Sequence, residues 1–443
     1  MNRHIAPVAF VGVGIADVET GETLPNRTVI VRGDRIVAVG PADEVSVPPG
    51  AQIVQGAGRT VIPGLCDMHV HIAPHAAGHD FDEAEAMRRA REYVLVFLAS
   101  GVTTIRNMAG TPLHLTLRRE VAEGRTIGPR ILTCGPILET RFTFPEMAEF
   151  GVLVTTPEDA RRAVTEQKRA GFDFIKVYND IDAAIYDEII AAAREVGIPV
   201  VGHVAYQKGL EGALAARQAS IEHLRSYDFA ADTRPPSEID GARFVGWLHT
   251  TPRRIEELAE RTAAAGVWNA PTMAVERGIR TDEEVAQPIE PLPAALPHWL
   301  AAELEASVLE SLFSSVQRAV LAEGRAARGA MVAALDRVGA GLLAGTDCPG
   351  CRLVPGRSLI RELELMVEAG LSPWRALRTA TINAATFLGE PGAGQIKAGC
   401  RADMLLLDGN PFDDIAALHR QAGVIANGQW IASGEIERRL LSS

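Results

Sequence analysis

The sequence predicts an α/β fold: a (β/α)8 TIM-type barrel with a small composite β-sandwich domain built from both termini. Three observations predict it. Eight short apolar segments alternate with amphipathic helical stretches through the middle of the chain. Both ends instead read as strand and turn. Side chains able to hold a metal recur at the ends of five of the eight segments.

Residues 1 to about 60 carry short strands, and 26–32 and 35–39 flank a Gly33-Asp34 turn in the manner of a hairpin. The apolar segments then follow at 61–71, 101–108, 129–135, 172–178, 199–204, 219–224, 266–273 and 341–348. Amphipathic helices are expected between them, for example over 156–170, 183–196 and 252–265. Near-continuous apolar strands separated by helices imply a parallel sheet covered on both faces, and eight such units close naturally into a barrel. Residues 225–340 are too long for one connection. They include a Pro-rich run at 288–297 and a helical run at about 300–338, and are expected to form a lid or an enlarged outer layer. Segments 402–408 and 424–430 return to strand and turn. The expected division is therefore 1–60 plus 391–443 as one β domain, and 61–390 as a barrel with a helical insertion at 225–340.

At 443 residues, 47% apolar and 23% charged, the composition is that of a soluble globular enzyme. Aromatic residues are only 5%, so aliphatic side chains must supply the core. A net charge of −12 argues against nucleic acid or an anionic membrane as partner. No run approaches the roughly 20 apolar residues of a membrane span. The weak apolar run at 1–10 is interrupted by Pro7 and lacks a clear cleavage site, and five cysteines are few for a disulfide framework. A cytoplasmic location is expected.

In a barrel the strand C-terminal ends form the active face. His69 and His71 lie two apart on one strand, so both point to the same side. There they can bind one zinc-like ion at roughly 2.0–2.1 Å each; the plain alternative is a pair of polar strand-end histidines. His203 and His223 end the fifth and sixth segments and together suit a second ion, although each alone could be a satisfied core histidine. Asp347 offers a hard carboxylate that can bind metal and take a proton from water; alone it could be a helix cap. Lys176 is costly at the mouth of an apolar strand unless its charge is used. A neutral lysine can capture CO2 and become an anionic carbamate with two oxygens. The alternative is a lysine that reaches solvent or pairs with Asp180.

The motifs Pro63-Gly-Leu-Cys-Asp-Met-His-Val-His71, Gly345-Thr-Asp347, Ala380-Thr-Ile-Asn-Ala-Ala385 and Gly394-Gln-Ile-Lys-Ala-Gly-Cys-Arg-Ala-Asp403, with the ordered ligands between them, resemble the amidohydrolase superfamily in its binuclear-metal branch with a carboxylated lysine. The resemblance implies that His69, His71 and Asp347 bind a buried metal, that His203 and His223 bind a more exposed one, and that carboxylated Lys176 bridges the two. It implies two divalent ions, zinc first with Mn, Co or Fe also suited, and CO2 or bicarbonate for the lysine. A homo-oligomer and a small-molecule substrate follow from the same resemblance. The implied reaction is hydrolysis of a C–N amide bond by a metal-bridging hydroxide, with Asp347 as general base and then acid. In style the chain is similar to prolidases, Xaa-Arg/Lys dipeptidases and imidazolonepropionase-like amidohydrolases. A dipeptide or N-acyl amino acid is therefore the favoured substrate. Cyclic amides of the imidazolone or hydantoin type, lactones and esters are the alternatives, and a non-enzymatic scaffold is disfavoured by the complete ligand set.

Substrate contacts are less marked. Tyr178 and Tyr206 follow ligand-bearing segments and could donate to an oxyanion; Tyr206 is preferred because His203 precedes it, and rim packing is the alternative. Arg106, Arg225, Arg277 and Arg352 also follow segment ends, where an arginine could grip a carboxylate or simply form a surface ion pair. Cys348-Pro-Gly-Cys351 has no second Cys pair and reads as a loop feature without a redox role, with Cys351 a possible substrate contact. His75 and His79 are extra imidazoles that could line the pocket or sit on an exposed loop.

Overall fold

The computed structural model describes residues 6–72, 82–142, 148–238, 244–307 and 309–442. His75 and His79 lie outside the described residues. The strands, in chain order, begin with β1 Val8–Ala16, β2 Thr23–Arg32, β3 Arg35–Pro41, β4 Gln52–Gln55 and β5 Arg59–Pro63. They continue with β6 Leu65–Val70, β7 Val102–Asn107, β8 Arg130–Thr133, β9 Ile137–Glu139, β10 Gly151–Leu153, β11 Ile175–Val177, β12 Val200–Gly202, β13 Ser220–Glu222 and β14 Trp268–Ala270. The last are β15 Met404–Asp408, β16 Gln421–Ala426 and β17 Gln429–Ala432.

The two chain ends share one continuous sheet, with β17, β16, β15, β5, β1, β2 and β3 side by side and β4 also on β1. Where the sequence suggests a sandwich, hydrogen bonding thus runs through a single sheet. Its seam is β5 against β15, antiparallel, with Arg59 opposite Asp408 and Pro63 opposite Met404. Val8, Phe10, Val29, Val61, Met404 and Ile425 bury together on it, and Phe10 meets Trp430 edge-on at 5.2 Å. The β2–β3 hairpin pairs Arg32 with Arg35 around Gly33, whose φ of 58° a residue with a Cβ adopts only under strain.

The middle of the chain supplies two parallel sheets: β6-β7-β8, and β10-β9-β11-β12-β13-β14. A parallel bridge between Cys134 and Phe174 links them, and bridges Asn269–Leu342 and Val70–Cys348 set residues 342–348 between β14 and β6. Two expected strands differ. Segment 61–71 breaks at Gly64: its first half joins the terminal sheet and its second half begins β6. A Cβ on Gly64 would stand 2.1 Å from Thr103 Oγ1, so only glycine lets the chain pass there. Segment 341–348 is bridged but not a regular strand. Its backbone bends where Asp347 takes a φ of 64° and the Thr346 and Asp347 amides both donate to His69 O.

The helices between the strands follow their sequence signals. Pro157–Ala170 starts at Thr156, whose hydroxyl accepts from the Asp159 amide, and stops at Gly171 with φ 94°. Pro252–Ala265 buries Ile255, Leu258, Ala259 and Thr262, a spacing that forms one helix face. Ala183–Val196 buries Ile185, Tyr186, Ile189 and Ile190 in the same way. Segment 225–340 is not a simple insertion, because it carries β14 together with Pro252–Ala265 and the long helix Ser315–Arg337. A closing helix, Ser433–Leu441, packs near Glu83–Leu98 and has no counterpart in the sequence reading.

Candidate metal centre

His69 lies in β6, and His71 follows that strand by one residue. Lys176 is the middle residue of β11, and His203 and His223 come directly after β12 and β13. Asp347 enters from the bend next to β6. The parallel pairing brings all these ends to one place. Asp347 Oδ1 lies 3.2 Å from His69 Nε2 and 3.1 Å from His71 Nε2. Its Oδ2 is 4.0 Å from His223 Nε2, and Lys176 Nζ is 3.5 Å from His69 Nε2. The His69 and His223 rings are 4.6 Å apart, and those of His203 and His223 4.9 Å. Ligand atoms of His69, His71 and Asp347 all fall within 4.8 Å of one another.

Each of three imidazoles is aimed by its other nitrogen. His69 Nδ1 is 2.8 Å from Glu222 Oε2, His203 Nδ1 is 2.9 Å from Asn179 Oδ1, and His223 Nδ1 is 2.6 Å from Thr272 Oγ1. Such partners select the tautomer and leave Nε2 to bind. Asn179, Glu222 and Thr272 were not singled out from the sequence. The available signal was a polar residue inside or just after an apolar strand.

The donor set fits a cation. Burial alone would raise the Glu222 carboxyl, but the Arg106 guanidinium and His69 outweigh it and hold it at about 2. Glu222 is therefore an anion, and His69 donates its Nδ1–H to it. Its Nε2 then faces the Asp347 carboxylate. Imidazole nitrogens of His69 and His71 and a carboxylate oxygen of Asp347, all within 4.8 Å of one another, are a set that can share one cation. Burial also pushes His203 and His223 well below the usual imidazole range, so both stay neutral as ligands must.

Lys176 is 1% exposed, and burial lowers its pKa. It does not pair with Asp180, which instead faces Arg141 at 3.3 Å. Backbone strain gathers at the same end. His223, Leu224, Ser226, Thr272 and Asp347 are all non-glycine residues with φ between 49° and 64°, a placement typical of functional sites. Gly345 passes so close to His69 that a Cβ would stand 2.8 Å from the His69 Cβ.

The outer residues divide. Tyr178 stacks on the His203 ring, with centroids 4.0 Å apart. Tyr206 is 38% exposed and lines a groove of about 650 Å³ with Ser226, Phe229 and Arg254. Arg106, expected as a carboxylate grip, is fully buried beneath the centre and donates to Met68 O, Ser220 Oγ and Glu222 Oε1. Fully buried and held by these three contacts, it is closed to a substrate. Arg277 pairs with Glu284 and Arg352 donates to Glu290 O, both away from the cluster. Arg225 stays beside His223. Cys348 and Cys351 are buried free thiols, and burial holds Cys348 well above its usual value, which removes thiolate reactivity.

A sequence profile of the amidohydrolase family matches residues 60–431. Ochratoxinase from Aspergillus niger is 24% identical, over 95% of this chain and 85% of the relative. Imidazolonepropionase from Rubrobacter xylanophilus is 26% identical, over 92% of each chain. Among solved structures, a putative prolidase from Bifidobacterium longum superposes with a TM-score of 0.72 at 26% identity, covering 99% of each chain. Among the described residues no helix is long and apolar enough to cross a membrane.

Proposed function

The chain belongs to the amidohydrolase family, a family of metal-dependent hydrolases acting on C–N bonds, and on that premise we propose that it cleaves the amide bond of a dipeptide or an N-acyl amino acid at a two-metal centre. The observation that best supports this is the convergence of His69, His71 and Asp347, with Lys176 and His223 within 4.0 Å of members of that group. In this reading His69, His71 and Asp347 hold the inner ion and His203 and His223 the outer one. Zinc suits these nitrogen and oxygen donors, as do Mn, Co and Fe. When bound, the two ions supply Lewis acidity at the scissile carbonyl and make water nucleophilic near neutral pH.

The chain's own residues supply the rest. Neutral Lys176 attacks CO2: one N–C bond forms, one proton leaves, and the carbamate presents two anionic oxygens between the ligand sets. Asp347 takes the proton of the attacking water and returns it to the leaving nitrogen. Tyr206, on the groove it shares with Ser226 and Phe229, is the candidate donor to the oxyanion. The same reading takes the two parallel sheets and segment 342–348 as one eight-stranded barrel. Residues 61–390 then form the barrel domain, 1–60 and 391–443 form the β domain, and the assembly is a homo-oligomer acting on a small molecule.

The match to an imidazolonepropionase over 92% of both chains favours a second reading, hydrolysis of a cyclic amide. A metal count on purified protein, beside a panel of dipeptides, N-acyl amino acids and cyclic amides, tests both. About two ions per chain with turnover of linear amides supports the first, and turnover of cyclic amides alone supports the second. One ion or none, unchanged by added metal and bicarbonate, overturns the two-metal centre.

A further inference from the structure

The four residues His223–Ser226 form an unusual turn. His223, Leu224 and Ser226 have φ of 60°, 49° and 64°, and the Arg225 amide donates to Glu222 O at 3.1 Å. Three left-handed non-glycine residues in four are costly, and such strain persists only where the surroundings hold it. The turn sets Arg225 two residues beyond His223, whose ring is 4.9 Å from that of His203. The guanidinium lies 5.9 Å from the Phe244 ring.

Arg225 is also unmatched. It is half-buried, its Nε is sealed from solvent, and that Nε meets no acceptor. No carboxylate among the described residues forms an ion pair with it. Arg328, a second buried cation nearby, is by contrast paired with Glu276. Arg277 and Arg352 have partners too, and Arg106 is spent on Glu222. A partly buried guanidinium with no anion, beside a site that collects divalent cations, carries an electrostatic penalty. An anionic group arriving with the substrate would remove it. A carboxylate fits best, because two parallel N–H···O bonds match the guanidinium edge.

We infer that Arg225 receives the free carboxylate of the substrate beside His203 and His223, and so selects N-acyl amino acids or dipeptides over their neutral C-terminal amides. This rests on the hydrolase reading above for the identity of the substrate, but not for the binding itself. The test is therefore binding as well as turnover. N-acetyl-L-leucine and N-acetyl-L-leucinamide are titrated into the metal-loaded protein by calorimetry, for wild type and for Arg225→Met and Arg225→Lys. Wild type should bind the acid about 10- to 100-fold more tightly than the amide, the range of one charge-assisted contact. Arg225→Met should abolish that preference while leaving amide binding in place. Arg225→Lys, which keeps the charge but not the fork, should retain part of it and serves alone if the methionine variant does not fold. Loss of both ligands to the same extent, an unchanged preference in the variants, or no preference in wild type each overturns the inference. Tight, Arg225-dependent binding of the acid without hydrolysis of any linear amide overturns the proposed reaction instead and leaves the carboxylate site standing.

Discussion

Glu222→Gln removes one charge and changes almost no volume, so its effect isolates the electrostatics beneath the candidate metal centre. Glu222 is fully buried. Its Oε2 accepts from His69 Nδ1 at 2.8 Å, and its Oε1 accepts from Arg106 Nη2 at 2.9 Å and Ser220 Oγ at 2.5 Å. The amide would leave the Arg106 guanidinium, also fully buried, without a counter-ion. Breaking a buried pair in this way costs about 3–5 kcal/mol, a large part of the roughly 5–15 kcal/mol that holds a protein folded. Because Gln keeps one carbonyl acceptor, the low end, about 3 kcal/mol, is expected. The same change weakens the acceptor that orients His69, and the loss of such a partner lowers metal affinity about 10- to 100-fold. Urea unfolding of the metal-free protein reads the first effect, and zinc titration against a competing chelator reads the second. A double variant, Arg106→Leu with Glu222→Leu, should be less destabilised than Glu222→Gln, since it leaves no buried charge unpaired. A Glu222→Gln protein with wild-type stability and wild-type zinc affinity would refute both the buried pair and the orienting role.

Asp347→Asn should lower turnover by at least about 10²-fold, because the amide cannot accept the proton; full activity sinks its role as base. Lys176→Ala should bind about one ion where the wild type binds two, and metal-free wild-type protein should regain its full count only when bicarbonate accompanies the metal. Equal loading in CO2-free buffer would exclude the carbamate. Gly345→Ala would force a Cβ to within 2.8 Å of the His69 Cβ and should destabilise by about 1–3 kcal/mol while weakening metal binding; unfolding curves that overlay wild type contradict the close approach. Burial raises the Glu362 carboxyl from 4.5 to about 8, with Oε1 left without a partner. The folded state thus holds this proton more tightly than the unfolded chain does, and stability should fall as pH rises from about 4.5 to about 8. Glu362→Gln should flatten that slope and gain stability at alkaline pH, as measured by urea titrations at each end of the window; an unchanged slope rejects the assignment.

Much of the architecture was legible locally. Helix limits such as Thr156 with Gly171 follow from capping and turn chemistry, which acts within a few residues. The alternation of apolar strands with helices announced parallel sheets, since strands buried on both faces cannot alternate in polarity. The residue types of the His69, His71 and Asp347 cluster and their positions near strand ends were also visible, because the sequence spells them out. What could not be read was anything that depends on which distant segments meet. The break at Gly64 answers to Thr103, and the bend at 345–347 to His69 O. Arg106 looks the same along the chain as Arg225. Only the tertiary structure put one at the buried Glu222 and left the other beside His203 and His223 without an acid. Glu222, Asn179 and Thr272 are ordinary polar residues until folding sets them against imidazole nitrogens. Residue type and local period belong to the sequence because they are short-range. Charge compensation and ligand orientation belong to the folded chain, because they depend on atoms tens to hundreds of residues apart arriving within about 3 Å.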